Sequence, residues 1–127
     1  MTLNRRTLLA ATCALALAPS VHAQAYPDRP VKLILTYAAG GAGDALTRLL
    51  AQHMSPTLGQ PVVVENRTGA SGGVGTMAVA RSPADGYTLL LTTVTTVVQI
   101  PTVLRDKEVD PAKALAPIAN ISSQPMV

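Results

Sequence analysis

The stretch that decides the fold is VKLILTYAAGGAGDALTRLLAQHM, residues 31–54. A short apolar run over residues 31–36 leads into a glycine-rich turn over residues 39–43. Beyond the turn, apolar side chains recur at the spacing of a helix. They are Leu46, Leu49, Leu50 and Met54. The stretch therefore predicts a strand, a turn and a helix.

The glycine-rich turn of this stretch is suited to an anion. Glycines permit unusual backbone angles and leave no side chain between the main-chain N–H groups and a bound group. Unpaired N–H groups and the helix dipole both favour negative charge at the start of a helix. The turn therefore predicts a site for a carboxylate or a phosphate. The alternative is a turn that serves only tight packing.

Residues 1–25 are predicted to be a cleavable export signal and not part of the fold. Arg5 and Arg6 give a basic start, an apolar run follows over residues 8–18, and Pro19 breaks it. This pattern is typical of a signal peptide. The apolar run is shorter than the roughly 20 residues that a membrane-spanning helix needs, so a signal is favoured over an anchor.

The signal leaves its cleavage point and its export route open. Small residues allow cleavage after Ala23 or after Ala25. Residues 4–9, NRRTLL, resemble a twin-arginine motif, but the Sec route remains the default. Cys13 lies inside the apolar run and is interpreted as an ordinary signal residue, not a lipoprotein cysteine.

The composition of the mature chain excludes several classes of protein. Removing the two signal arginines lowers the formal net charge from +3 to +1, and cleavage also removes the only cysteine. With three tyrosines, no Phe and no Trp, the chain lacks the aromatic platforms and basic stripe of a nucleic-acid binder. Neither disulfides nor thiolate metal sites are available. The roughly one hundred remaining residues suffice for one small domain.

The rest of the mature chain alternates strand and helix patterns. Pro56 and Gly59 are expected to end the first helix, and three successive valines predict a buried strand over residues 62–66. A second glycine-rich turn spans residues 67–73. The remaining expected elements are a helix over 74–81, a turn over 82–86, a strand over 87–93 and a strand over 118–122.

Alternating strands and helices predict a parallel sheet with right-handed crossovers. The carboxyl ends of such strands share one edge, where open α/β sheets bind ligands. Both glycine-rich turns and the threonine-rich loop after Thr92 are therefore expected to converge and surround a small anion with N–H groups and hydroxyls. The candidate ligand-binding residues are Ala39, Gly40, Gly41, Ala42, Gly43, Asp44, Gly69, Ala70, Ser71, Gly72, Gly73, Thr93, Thr95 and Thr96.

The second turn also matches two sharper motifs. Residues 69–73 fit the G-x-S-x-G elbow, which would make Ser71 a hydrolase nucleophile, but no histidine follows it in the chain. Residues 73–78 fit a relaxed dinucleotide fingerprint but lack the acidic residue about 20 positions further on. A P-loop is excluded because no Gly-Lys-Ser/Thr follows either turn. A secreted hydrolase that uses Ser71 is the alternative function.

Three charged or titratable residues lie near the turns. His53 is expected on the surface of the first helix, since a single imidazole makes neither a metal site nor an acid–base couple. Asp44 is expected to cap the helix or to interact with its dipole, and alternatively to attract an ammonium group of a ligand. Arg67 is either solvated or a bidentate clamp for an acid.

The assembled motifs resemble the periplasmic solute-binding receptors of tripartite tricarboxylate transporters, also called Bug receptors. The resemblance runs from Tyr26 through the mature chain and comprises several blocks in the right order. The blocks are Tyr26-Pro27 with Arg29-Pro30-Val31, Ala39-Gly40-Gly41 closed by Asp44, residues 58–67, residues 69–72 with Gly75, residues 85–90, Asp110-Pro111 and residues 116–118.

This resemblance implies a two-lobed, Venus-flytrap receptor of type II that closes on a small carboxylate, such as a di- or tricarboxylate, and is not an enzyme. Its first lobe has a mostly parallel sheet with flanking helices. The ligand would be held by main-chain groups of the first two loops, with contacts from the loop at Thr93 to Thr96. The resemblance further implies a periplasmic monomer without cofactor or metal, which delivers its ligand to the membrane permease subunits and contacts no nucleic acid.

The chain departs from the family pattern in sequence and in length. Ala38 and Thr68 stand where the family commonly has proline, Ile100 where asparagine is frequent, and Ala114 where an acid is common. Loss of the prolines is expected to loosen the loops. Residues 26–127 are expected to be an incomplete, N-terminal part of the solute-binding domain without the second lobe. Either a fragment or a truncated, non-functional gene product is therefore expected, and it should bind solutes poorly or not at all on its own.

Overall fold

The computed structural model describes residues 25–104 and 110–123, with the side chains of residues 100–104 left out. Its three strands form one parallel sheet in the order β2-β1-β3. The predicted export signal and its cleavage points lie outside the described residues, except for Ala25 itself. The elements are β1 (Val31–Leu35), α1 (Ala42–Leu58), β2 (Val62–Asn66), a 3₁₀ turn (Ala70–Gly72), α2 (Gly73–Ala80), β3 (Thr88–Leu91), α3 (Val94–Leu104) and α4 (Pro111–Ala114).

Strand β1 is the centre of the sheet and of the apolar core. Leu33, Ile34 and Leu35 are all buried, and because successive side chains point to opposite faces, β1 is covered on both sides. Leu35 pairs with Asn66 of β2 and with Leu91 of β3. The prediction of an α/β unit with a parallel sheet is therefore confirmed.

Helix α1 packs on β1 and β2 through small and polar side chains. Its buried residues are Asp44, Thr47 and Ala51, whereas Leu46 and Leu49 are exposed. The apolar spacing identified the helix correctly but does not mark its most buried stripe. Small residues at the contact let the helix lie close to the sheet, and the longer leucines flank that contact.

The first helix ends at Gly59 and not at Pro56, which lies inside α1. Gly59 adopts the left-handed conformation at φ 68°, which is common after a helix end and easy for glycine. A proline in the last turn removes one N–H donor but leaves the preceding turns intact. Ser55 then joins the helix to β2, because its hydroxyl accepts a hydrogen bond from the N–H of Val62 at 3.0 Å.

Strand β2 has the predicted bounds, but the expectation that it is buried was wrong. Val62 and Val64 are half-buried and Val63 is 50% exposed. Within the described part of the chain, β2 lies at the edge of the sheet, with β1 on one side only. Three successive valines therefore indicate a strand here without placing it in the centre.

The chain beyond β3 differs most from the expectation. The strand expected over residues 87–93 is limited to Thr88–Leu91, and Val94 begins helix α3, which continues through Pro101. Residues 118–122 form no strand, and Ile118 is 81% exposed. A sequence pattern typical of a strand is not sufficient, because a strand also needs a neighbouring strand that supplies backbone hydrogen bonds.

Candidate functional site

Three loops meet at the carboxyl ends of the three strands. The first loop follows β1 (residues 36–41), the second follows β2 (residues 67–72), and the third follows β3 (residues 92–93). The buried hydroxyl of Thr36 lies 3.0 Å from that of Thr92, which joins the first loop to the third. The hydroxyl of Tyr37 donates to that of Thr93 at 3.0 Å and makes a second link.

The second loop approaches the others through glycines that have no room for a side chain. A Cβ at Gly72 would lie 2.7 Å from Cγ2 of Thr96 and 3.2 Å from Cβ of Thr36. A Cβ at Gly75, in the first turn of α2, would lie 2.7 Å from the carbonyl oxygen of Arg67 and 3.1 Å from Cγ2 of Thr36. All three loops therefore converge on Thr36, as the parallel arrangement predicts.

The backbone of the second loop is unusual over four successive residues. Gly69, Ala70, Ser71 and Gly72 all have positive φ, at 117°, 47°, 53° and 90°. For the two residues with a Cβ, Ala70 and Ser71, this left-handed conformation costs about 1–2 kcal/mol each. Such strain accumulates at ligand sites and switch regions, where the surrounding structure holds it in place.

Two helices begin at these loops without a side-chain cap. The N-cap residues are Gly41 for α1 and Gly72 for α2, and neither helix has a side-chain capping hydrogen bond. The first N–H groups of a helix have no acceptor within the helix. At α2, the N–H groups of Gly73 and Val74 instead donate to the carbonyl oxygens of Ala70 and Gly69 in the preceding turn. The start of α1 therefore suits an anionic group through its N–H groups and its dipole, and the start of α2 through its dipole. Helix α3 differs, because the hydroxyl of Thr93 accepts from the N–H of Thr96 at 3.4 Å.

The predicted site residues fall into an exposed set and a buried set. Asp44, Gly72, Gly73 and Thr96 are buried, and the Thr96 hydroxyl lies 3.0 Å from that of Thr93. Thr95 and Thr96 belong to the first turn of α3 and not to a loop. The exposed or half-exposed residues are Ala39, Gly40, Gly41, Ala42, Gly43, Gly69, Ala70, Ser71, Thr93 and Thr95.

Asp44 faces the protein and not the open side of the loops. Its Oδ2 accepts from the N–H of Gly40 and from Nε of Arg48, each at 3.0 Å, and its Oδ1 accepts from Nδ2 of Asn66 at 3.0 Å. The hydrogen bond from Arg48, followed by those from Gly40 and Asn66, holds the pKa of this carboxyl well below its usual range. The lowered pKa favours the charged form of Asp44, which links the first loop to the end of β2 through oxygens that are engaged within the protein.

The other singled-out residues have local partners. Nε of Arg67 donates to Oε1 of Glu65 at 2.7 Å, and both side chains are largely exposed. The Nδ1 of His53 lies 2.8 Å from the carbonyl oxygen of Leu49, one turn earlier in the same helix. His53 is exposed, as predicted, and it is the only histidine in the described part of the sequence.

Four residues that organise the loops were not among the predicted site residues. Thr36 and Tyr37 follow β1, Asn66 is the last residue of β2, and Thr92 follows β3. Each is a polar residue at or just beyond the carboxyl end of a strand, and that position is the signal by which the sequence indicates them.

Neither a metal centre nor a membrane span is found within residues 25–104 and 110–123. No group of three or more His, Cys, Asp and Glu side chains that could hold a metal ion lies there. In the same part of the chain, no helix is both long enough and apolar enough to cross a bilayer.

Comparison with known proteins identifies relatives over much of the sequence. Residues 46–127 match the family described as tripartite tricarboxylate transporter family receptor. The chain is 52% identical to BugT of Bordetella pertussis over 75 residues, which are 59% of this chain and 23% of that protein. It is 38% identical to a UPF0065 protein of Bordetella bronchiseptica over 122 residues, which are 95% of this chain and 36% of that protein.

Two solved structures with bound carboxylates also resemble the chain. An R. palustris protein with adipate is 42% identical with a TM-score of 0.51, over 53% of this chain and 22% of that one. MatC from Rhodopseudomonas palustris with malate is 40% identical with a TM-score of 0.50, over 51% of this chain and 22% of that one.

The family is one of receptors and not of enzymes, which leaves the hydrolase alternative at Ser71 without support. The parallel sheet with flanking helices fits a lobe of a periplasmic binding protein. The chain spans only between 23% and 36% of the length of the two relatives described. It therefore belongs to the tripartite tricarboxylate transporter family of receptors, as a Bug-type member represented by an N-terminal portion.

Proposed function

We propose that this protein is the part of a periplasmic receptor that holds a small organic carboxylate at the carboxyl edge of its sheet. The observation that carries the proposal is that the loops after the three strands meet at Thr36, and that two of these loops lead into helices without side-chain caps, at Gly41 and Gly72. A carboxylate there would accept hydrogen bonds from main-chain N–H groups at the start of α1 and meet the positive ends of the two helix dipoles.

The choice of a carboxylate over other anions is supported by the relatives. Two related structures contain the dicarboxylates adipate and malate. Main-chain donors recognise the carboxylate group and not the body of the molecule that carries it. The proposal therefore names the ligand class, di- or tricarboxylates and related organic anions, and not one compound.

The proposal includes the cellular setting of the receptor. After export by the signal over residues 1–25 and its cleavage, residues 26–127 would contribute one side of the binding cleft in the periplasm. The complete receptor would close a second lobe over the ligand and present it to the membrane permease subunits of the transporter.

Titration with adipate and malate, followed by NMR of the backbone amides, tests the proposal. We expect chemical-shift changes at residues 40–44 and 69–73, because these residues contain the two helix starts. Chloride at the same ionic strength is the control, and its addition should leave these signals in place. Saturable changes confined to other surfaces, or no change up to about 50 mM ligand, would contradict the proposed site.

A further inference from the structure

A closed ring of three side chains joins the first loop to the end of β2. Asp44 accepts hydrogen bonds from Arg48 and from Asn66, and Nη2 of Arg48 donates to Oδ1 of Asn66 at 3.3 Å. The side chain of Asp44 is only 7% exposed, whereas that of Arg48 is 54% exposed. The ring thus has a buried acceptor at its centre and a solvent-facing cation that neutralises it.

The ring also holds two main-chain groups of the first loop. The N–H of Gly40 donates to Asp44, and Nδ2 of Asn66 donates to the carbonyl oxygen of Tyr37 at 3.1 Å. Gly40 has φ of 85°, and a Cβ built there would have nothing within 4 Å. Among the described contacts of Gly40, the hydrogen bond from its N–H to Asp44 holds this residue in the turn.

Asn66 extends the ring to the second loop. It is the last residue of β2, and the N–H of Arg67, the next residue, donates to the carbonyl oxygen of Leu35 at 2.8 Å. A shift of Asn66 therefore moves both the turn at Gly40 and the start of the second loop. Burying a charge is costly unless it is paired and hydrogen-bonded, and Asp44 has three donors around it. Packing of α1 on the sheet would not by itself require such a charge.

We infer that Asp44, Arg48 and Asn66 are positioning residues, which fix the first loop relative to the second and so preform the anion site without touching the ligand. The inference rests on the proposed function, because the loops that the ring fixes are the proposed carboxylate site. Preformed donors spare the ligand the cost of ordering the loop when it binds.

Hydrogen exchange at the Gly40 amide in the full chain tests the positioning directly. The substitution Asp44→Asn keeps the shape of the side chain but replaces one carboxylate oxygen by an NH₂ group. That NH₂ group then faces the donor of Asn66 or of Arg48, and two donors cannot form a hydrogen bond with each other. We expect the Gly40 amide to exchange about ten- to a hundredfold faster, which corresponds to a lost hydrogen bond to a charged acceptor. An unchanged exchange rate in a folded variant would overturn the inference.

Exchanging the residues at positions 44 and 66 distinguishes a positioning role from a general loss of stability. In Asp44→Asn combined with Asn66→Asp, the direction of the bond is reversed: the amide at position 44 donates to the carboxylate at position 66, and Arg48 still meets a carboxylate. The carbonyl oxygen of Tyr37 loses its donor from position 66, so we expect the double variant to recover only part of the Gly40 protection. If instead the two substitutions add, the ring does not act as a unit and the inference fails.

Two further variants provide a test at an exposed residue of the ring and a control at an ion pair elsewhere. Arg48→Lys changes an exposed side chain and should remain folded, but one ammonium cannot reproduce both guanidinium contacts. Asp85→Asn is the matched control, since it breaks the exposed ion pair with Arg29 at the opposite, amino edge of the sheet. Faster Gly40 exchange in Arg48→Lys but not in Asp85→Asn supports the inference, and equal rates in both contradict it.

Adipate affinity gives a separate outcome for the proposed function. If the wild-type chain binds adipate, Asp44→Asn should weaken binding about tenfold, and unchanged affinity would contradict the positioning role. If the wild-type chain binds neither adipate nor malate, the proposed function fails. The Gly40 exchange rates still decide whether the ring holds the loop.

Discussion

Glycines at the carboxyl edge of the sheet are required for two different reasons, their backbone conformation and the space available to a side chain. Gly40 and Gly72 allow the two reasons to be compared. Gly40 and Gly72 have nearly the same φ, 85° and 90°. Gly40 has open space around it, whereas a Cβ at Gly72 would lie too close to Thr96 and Thr36. The pair therefore distinguishes a glycine needed for its conformation from one needed also for its small size.

Substituting each glycine by alanine should show that difference. Gly40→Ala is expected to lower the free energy of unfolding by about 1 kcal/mol, from the left-handed backbone alone. Gly72→Ala should lower it by about 2–4 kcal/mol, because overpacking against Thr36 and Thr96 is added. Urea unfolding of both variants measures the two losses. Equal losses would mean that the loops move apart easily and that their junction at Thr36 is not tightly packed.

At the scale of elements, the central strand carries the stability that holds the loops in register. Leu35 in β1 and Leu91 in β3 are paired directly across the sheet. Leu35 is fully buried, whereas Leu91 in the edge strand is half-buried. Because β1 is covered on both faces, a cavity there loses contacts on every side.

Truncation of these paired leucines is expected to have unequal effects. Leu35→Ala should lower the free energy of unfolding by about 2–5 kcal/mol, and Leu91→Ala by about half as much. Chemical denaturation under matched conditions compares them. A larger loss from Leu91→Ala would show that β3 is more deeply covered than its position at the edge of the described sheet implies.

The sequence allowed prediction of the elements wherever local chemistry decides them. The apolar run, the glycines and the helical spacing of residues 31–54 were sufficient for β1, the first loop and α1. The strong backbone preference of Gly59 likewise placed the end of α1. The convergence of the loops followed from the parallel sheet, because topology alone brings carboxyl ends together.

Where tertiary contacts decide, the sequence was insufficient. The edge position of β2 depends on which strand lies beside it, and three valines do not encode that. Helix α3 begins with β-branched residues of low helix propensity, so packing against α2 and the 3₁₀ turn determines it. Likewise, Asp44 was expected near the helix start, and its bond to Arg48 lies within α1, but its bond to Asn66 depends on how α1 lies on β2.

For the molecule as a whole, the two edges of the sheet have different roles. At the amino edge, the hydroxyl of Tyr26 donates to the carbonyl oxygen of Gly86 at 2.7 Å, and that of Tyr87 donates to Asp28 at 2.7 Å. The Arg29 guanidinium lies 4.2 Å from the centre of the Tyr87 ring. These contacts tie the start of the described chain to the residues that precede β3, at the edge of the sheet opposite to the three loops.

Within the residues that the structure describes, the loops of the carboxyl edge would contact a ligand from one side, which limits the affinity expected of this chain. Ligand sites usually cover about 70–90% of a small ligand, and closure between two lobes is how binding proteins reach that coverage. With donors on one side, we expect adipate and malate to bind the 127-residue chain with a Kd of about 1 mM or weaker. NMR titration measures affinities in this range, and isothermal calorimetry would detect tighter binding. Micromolar binding by this chain would show that the three loops suffice, because contacts from a second lobe would then add little to the free energy of capture.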